Sequence, residues 1–97
     1  MYTPTKERIA ELKAEHGDIY LITVEDKAAI FKTPPRKAMS YSMIIAQKDP
    51  LKSNEHLLKE AFVEGDKELI ESDAYFLGAQ AQTAKLLKAK ESKLEKL

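Results

Sequence analysis

With 97 residues, the chain has room for a single domain with one modest core, and a core of that size gives only marginal stability. Lysine plus arginine and aspartate plus glutamate number 16 each, a balance that argues against a dedicated nucleic-acid binder, which carries a basic excess or stripe. The lack of cysteine excludes a disulfide framework and thiol chemistry and points to the cytoplasm, and no apolar run approaches the roughly 18 residues of a membrane span.

In chain order, "MYTPTKERIAELKAEHG" is amphipathic and charged, unlike a signal peptide. Thr3 is placed to cap a helix that begins at Pro4, where a missing N–H costs nothing, and runs to His16 before Gly17. "DIYLITV" (18–24) and "AAIFKT" (28–33) are rich in β-branched and aromatic residues and predict two strands joined through "EDK" as a hairpin. Such a hairpin is too small to stand alone, so one face must pack on helices. "TPPRK" (33–37) opens a second helix, with Thr33 as its cap and Met39, Met43 and Ala46 on one face, broadened by Ile44 or Ile45. Asp49 caps a third helix with Pro50 at its first position, Leu51, Leu58 and Phe62 in line, and Gly65 as its stop. From Asp73 onward one glycine and no proline interrupt a run of strong helix formers, which predicts a long C-terminal helix of roughly 36 Å. Its stripe of Phe76, Gln80, Thr83, Leu87, Lys90, Leu94 and Leu97 is heptad-like but thinly apolar, so its far end should project, fray or find a partner.

The fold class is therefore α+β: an N-terminal helix, a two-stranded β-hairpin, then a helical bundle with a long C-terminal helix. Residues 1–97 form a single domain, with residues 1–33 as helix plus hairpin and residues 34–97 as the helical part.

The acid-rich "EGDKELIESD" (64–73) is the one stretch that resembles a metal or catalytic cluster. A calcium loop needs oxygens alternating around a central glycine, whereas Gly65 precedes Asp66 and Glu68, and Ile70 interrupts the series. Punctuation between helices fits better: Asp66 caps a short turn "KELIE", Leu69 and Ile70 dip into the core, and Ser72 or Asp73 caps the last helix. His16 and His56 belong to no spaced ligand set, the serines lack a nucleophile-elbow context, and no glycine-rich phosphate loop is present. No enzyme activity, cofactor, metal or small-molecule substrate is expected. The methionines and tyrosine of "MSYSMII" (39–45) suit either core or an adaptable docking surface.

Read in series, "FKTPPRK", "KDPLKSNEHLLKEAFVEGDKELIESD" and "LLKAKESKLEKL" describe a strand running into a proline-basic segment, a helix that ends in an aromatic and a glycine–aspartate turn, a short acidic turn and a final helix. Over about residues 30 to 97 this series resembles the small tail assembly chaperone-like proteins of bacteriophage and prophage tail gene modules. Phe62 stands where that pattern has tryptophan, and Glu64 where it has glycine. The resemblance implies a non-enzymatic factor that binds the tape-measure protein or tail-tube subunits in the cytoplasm of a bacterial host. Met39, Met43, Leu87, Leu94 and Leu97 are the candidate partner-binding residues. Two alternatives stay open: a small helix-turn-helix-like DNA-binding regulator and a self-assembling structural tail subunit.

Overall fold

The computed structural model describes residues 1–87 and 91–97. Among these the fold is α+β, with six helices and a small three-stranded antiparallel sheet. In chain order the elements are α1 (Lys6–His16), β1 (Ile19–Val24), β2 (Lys27–Lys32), α2 (Arg36–Ala46), α3 (Pro50–Ala61), β3 (Phe62–Gly65), α4 (Glu68–Glu71), α5 (Asp73–Gln80) and α6 (Thr83–Leu86).

β2 is the central strand. Ala28, Ala29, Ile30 and Phe31 are all buried, as expected of a strand covered on both faces. β1 pairs with it from Ile19↔Lys32 to Val24↔Lys27, leaving a two-residue turn at Glu25 and Asp26. The turn is one residue tighter than "EDK" implied, and Glu25 accepts a positive φ of 54° to close it. Asp26 also ties the turn to α5, accepting a hydrogen bond from the Tyr75 hydroxyl. That bond holds the Asp26 carboxyl below the usual carboxylate range and raises the Tyr75 hydroxyl above its ordinary value.

β3 replaces the expected end of the third helix. α3 stops at Ala61, and Phe62 turns extended at φ −62° and ψ 129°. Ala29↔Gly65, Ile30↔Glu64 and Phe31↔Phe62 then pair, which leaves Val63 as the extra residue of a bulge. The physical reason is the open edge of β2, whose unpaired N–H and C=O groups need a partner. Phe62 also sets its ring edge-to-face on Phe31, with centroids 5.7 Å apart and planes at 86°. Gly65 is therefore not a helix stop. It lies at φ 134°, and a Cβ there would come within 2.5 Å of the Ala29 Cα.

On one face of the sheet, Ile22, Ala29, Phe31, Leu58, Ala61, Leu69, Ala79 and Leu86 form a continuous core from α3, α4, α5 and α6. α5 approaches β1 closely: a Cβ on Gly78 would meet the Val24 Cγ1 at 2.7 Å. α1 packs against β1 and buries Leu12.

Two helix starts differ from expectation. Thr5, not Thr3, caps α1, its Oγ1 accepting from the Arg8 N–H at 3.1 Å. Pro35, not Thr33, occupies the cap position of α2 and offers no side-chain acceptor. At α5 the cap position falls to Ser72, one of the two residues expected there, though only its carbonyl is used, accepting from Phe76 N–H at 2.8 Å. The Asp49 cap and Pro50 at the start of α3 are as read from the sequence, with Asp49 Oδ1 accepting from Lys52 N–H at 3.1 Å. The long C-terminal helix is not formed. It breaks at Ala81 and Gln82 because Thr83 and Leu86 turn inward, where both are buried. The Thr83 hydroxyl donates to the Gln80 carbonyl at 2.8 Å, and the Asn54 side-chain amide donates to Gln80 Oε1 at 2.8 Å, fixing that corner. Residues 91–97 have no regular structure, and Lys90 of the expected stripe lies outside the described residues.

The acid-rich stretch is wired into the sheet. Asp66 does not cap α4; its Oδ2 accepts from the Ala28 N–H at 2.9 Å and the Tyr2 N–H at 3.1 Å, while its own N–H donates to the Ala28 carbonyl at 2.9 Å. Glu64 accepts from the Arg8 Nε and Nη2 at 3.0 and 2.7 Å and from the Tyr2 hydroxyl. Glu68 lies 3.5 Å from the Lys27 ammonium. The Ala28 and Tyr2 amides hold the Asp66 carboxyl below its ordinary range, and Arg8 followed by Tyr2 does the same for Glu64. Burial, reinforced by Glu64, pushes the Tyr2 hydroxyl up to about 12.

Two outcomes follow. Gly65→Ala combines a disfavoured backbone angle with a backbone clash and should lower stability by about 2–3 kcal/mol in chemical denaturation. A carboxyl whose folded pKa is depressed contributes fully above its unfolded value of about 4 and loses that contribution as pH falls through the lower folded value. Stability should therefore hold level down to about pH 5 and decline below about pH 4. An Asp66→Asn, Glu64→Gln double variant should be less stable at neutral pH and show a flatter acid branch in thermal melts.

Candidate protein-docking surface

The surface begins with two small residues. Ala38 and Ser42, one turn apart on α2, are buried, and α2 lies against α3 along them. The Ser53 hydroxyl of α3 donates to the Ser42 carbonyl at 2.7 Å, a buried bond that needs close approach of the two helices. Because the small side of α2 turns inward, its large apolar residues turn outward. Tyr41 is 56%, Met43 72% and Ile44 64% exposed, while Met39 is half-buried.

Tyr41 and Ile44 line an open groove between α2 and α3 of about 1000 Å³, with Pro35, Lys37, His56 and Glu60. The Tyr41 and His56 rings meet in a tilted contact, 4.9 Å between centroids. His56 is thus a packing partner on the groove wall. At the start of α2 the electrostatics are unfavourable: the first turn has no acid and no side-chain cap, yet carries Arg36 and Lys37. Cations at a helix N-terminus oppose the dipole, so a carboxylate from outside would relieve that end of the groove. Neither cation forms an ion pair among the described residues.

The candidate residues named from the sequence fall on two separate elements. Met39 and Met43 belong to α2, with Met43 fully on the surface. Leu87 follows α6 and is 38% exposed, and Leu94 and Leu97 are fully exposed in the segment 91–97. The sequence pattern puts Ile44 or Ile45 on the face shared by Met39, Met43 and Ala46, and leaves the tyrosine of that run, Tyr41, open between core and docking surface. The signal that locates Ile44 and Tyr41 is the pair Ala38 and Ser42, whose small size marks the side of α2 that lies against a neighbouring helix.

Among the described residues, no group of three histidine, aspartate or glutamate side chains is placed to hold a metal ion, and no helix is long and apolar enough to cross a membrane. No protein family, curated protein or solved structure matches the chain.

The Ser42 hydroxyl is buried without a hydrogen-bond partner. Its role at the α2–α3 contact is size, and the unmade bond costs about 1 kcal/mol or more. Ser42→Ala should therefore raise stability by about 1 kcal/mol, whereas Ser42→Leu should lower it by about 1–3 kcal/mol by forcing α2 off α3. Denaturant midpoints of the two variants check both signs.

Proposed function

We propose that the chain is a non-enzymatic tail assembly chaperone or scaffold factor of a phage or prophage, binding the tape-measure protein or tail-tube subunits before they assemble. The observation that carries this reading is the outer side of α2, where Tyr41, Met43 and Ile44 are large, apolar and exposed beside a groove. A small domain gains stability by burying such side chains, each worth roughly 1.5–3 kcal/mol, so leaving three adjacent ones in water favours a protein partner. Methionine and isoleucine side by side suit a helical client, since the flexible thioether adapts to irregular ridges. The motif series from "FKTPPRK" to "LLKAKESKLEKL" supplies the tail-module context, and the working site of such a factor is the host cytoplasm.

The mechanism is shielding. The α2 surface covers apolar helices of an unassembled tail component and is displaced when those helices find their place in the tail. Arg36 and Lys37 select clients that bring a carboxylate to the start of the groove. A DNA-binding role for α2 and α3 is less well supported, because basic and acidic residues are equal in number and Lys59 on α3 is within 3.8 Å of Glu55.

Co-expression with the tape-measure protein of the same tail module should raise that protein's soluble yield and allow the two to co-purify. Ile44→Asp or Met43→Asp should weaken the complex tenfold or more, about 1.4 kcal/mol, without lowering the melting temperature of the free chain. A tape-measure protein, and tube subunits, equally soluble without this chain would overturn the proposal.

A further inference from the structure

A second apolar groove lies between the start of α3 and α5 and has the opposite charge. It measures about 530 Å³ and is lined by Asp49, Leu51, Glu55, Asp73, Phe76 and Leu77. Leu51 and Leu77 are each about half exposed. Against the three carboxylates stands one lining cation, Lys52. Asp73 forms no ion pair among the described residues.

The same chain carries a segment of matching chemistry. In "ESKLEKL" (91–97), Leu94 and Leu97 are fully exposed, so nothing in the chain's own fold covers them. Wound into a helical turn, the segment places Lys93, Leu94 and Leu97 on one side and Glu91 and Glu95 on the other. Glu55 faces Lys59 at 3.8 Å and Asp49 caps α3, so Asp73 is the groove carboxylate left for a cation; one side of the segment then offers two leucines and an ammonium to a groove that offers exposed leucines, a phenylalanine and Asp73. We propose that residues 91–97 of one copy occupy the α3–α5 groove of a second copy, and that the exchange is reciprocal. Leu94 and Leu97 pack on Leu51, Phe76 and Leu77, and Lys93 meets Asp73. Equal numbers of acidic and basic residues leave no net charge to hold two copies apart. A reciprocal exchange uses the same two patches on both copies and so closes as a two-fold dimer. This site is separate from the α2 surface, and its test does not depend on the tail-assembly reading.

Sedimentation velocity of the full chain from low to high micromolar concentration tests the exchange. A monomer–dimer equilibrium is expected, weakened by added salt. Leu94→Asp with Leu97→Asp should raise the dimer dissociation constant at least tenfold, as should Leu77→Asp on the groove side. Leu94 and Leu97 are fully exposed and Leu77 about half exposed in the single chain, so circular dichroism melts at concentrations where the chain is monomeric should be unchanged, while at dimer-forming concentrations the variants should lose the added stability of association. Lys93→Glu and Asp73→Lys should each weaken the dimer, and the two combined should restore it. Three results would overturn the proposal: a monomer at every concentration, a dimer indifferent to Leu94→Asp with Leu97→Asp, or a monomer whose residues 91–97 are protected from amide exchange by docking on their own chain.

Discussion

The fold depends on one carboxylate. Asp66 gathers the amides of Ala28 and Tyr2 at a single oxygen and returns its own N–H to the Ala28 carbonyl. Ala28 lies in the central strand, Tyr2 precedes α1, and Asp66 follows β3, so three distant parts of the chain are fixed at one point. The residue before it must be glycine, because the pairing of β3 brings that backbone against Ala29 with no room for a Cβ. Glu64, two residues back, joins Tyr2 and Arg8 to the same strand and extends the junction into α1. Charge-assisted hydrogen bonds of this kind are stronger than neutral ones, and here they substitute for the larger core that a 97-residue chain lacks.

What could be read from the sequence was what local chemistry decides. The β-branched run at 19–24 and the Asp49–Pro50 start of α3 need no distant partner to be recognised. β3 was hidden because "FVEG" follows a helical stretch with no break, and its strand conformation is imposed by the open edge of β2. Asp66 was misread for a related reason: a carboxylate near a short helix is a plausible cap, but amides from β2 and the N-terminal segment compete for it and win. The C-terminal helix failed on packing. Alanine, leucine and lysine favour a continuous helix, yet burial of Thr83 and Leu86 favours a corner, and burial outweighs propensities worth a few tenths of a kcal/mol per residue.

The candidate docking surface was half legible for a reason of geometry. Met43 could be named because methionine suits adaptable contacts. Which side of α2 turns inward was not decided by hydrophobicity, since the helix is apolar nearly all round. It was decided by closeness of approach: Ala38 and Ser42 let α2 come near enough to α3 for the Ser53 hydroxyl to reach the Ser42 carbonyl. The Ser42 hydroxyl makes no hydrogen bond, so small volume is what it brings to that contact.

The same choice recurs through the molecule. Of the 13 buried hydrophobic residues among those described, five are alanines, at 28, 29, 38, 61 and 79. Meanwhile Met43, Ile44, Leu51, Leu77 and Leu94 are outside. A domain selected only for its own stability would place the larger side chains inward, because burial scales with apolar area. Here closely packed small residues hold a thin scaffold together, and larger apolar groups stay on the surface. Their surroundings differ in charge, with cations at the start of the α2–α3 groove and carboxylates along the α3–α5 groove. Apolar contact alone would let either groove accept either occupant. The opposed charges would separate the two proposed occupants, because an ammonium brought to Arg36 and Lys37, or a carboxylate brought to Asp73, would be desolvated against its own sign.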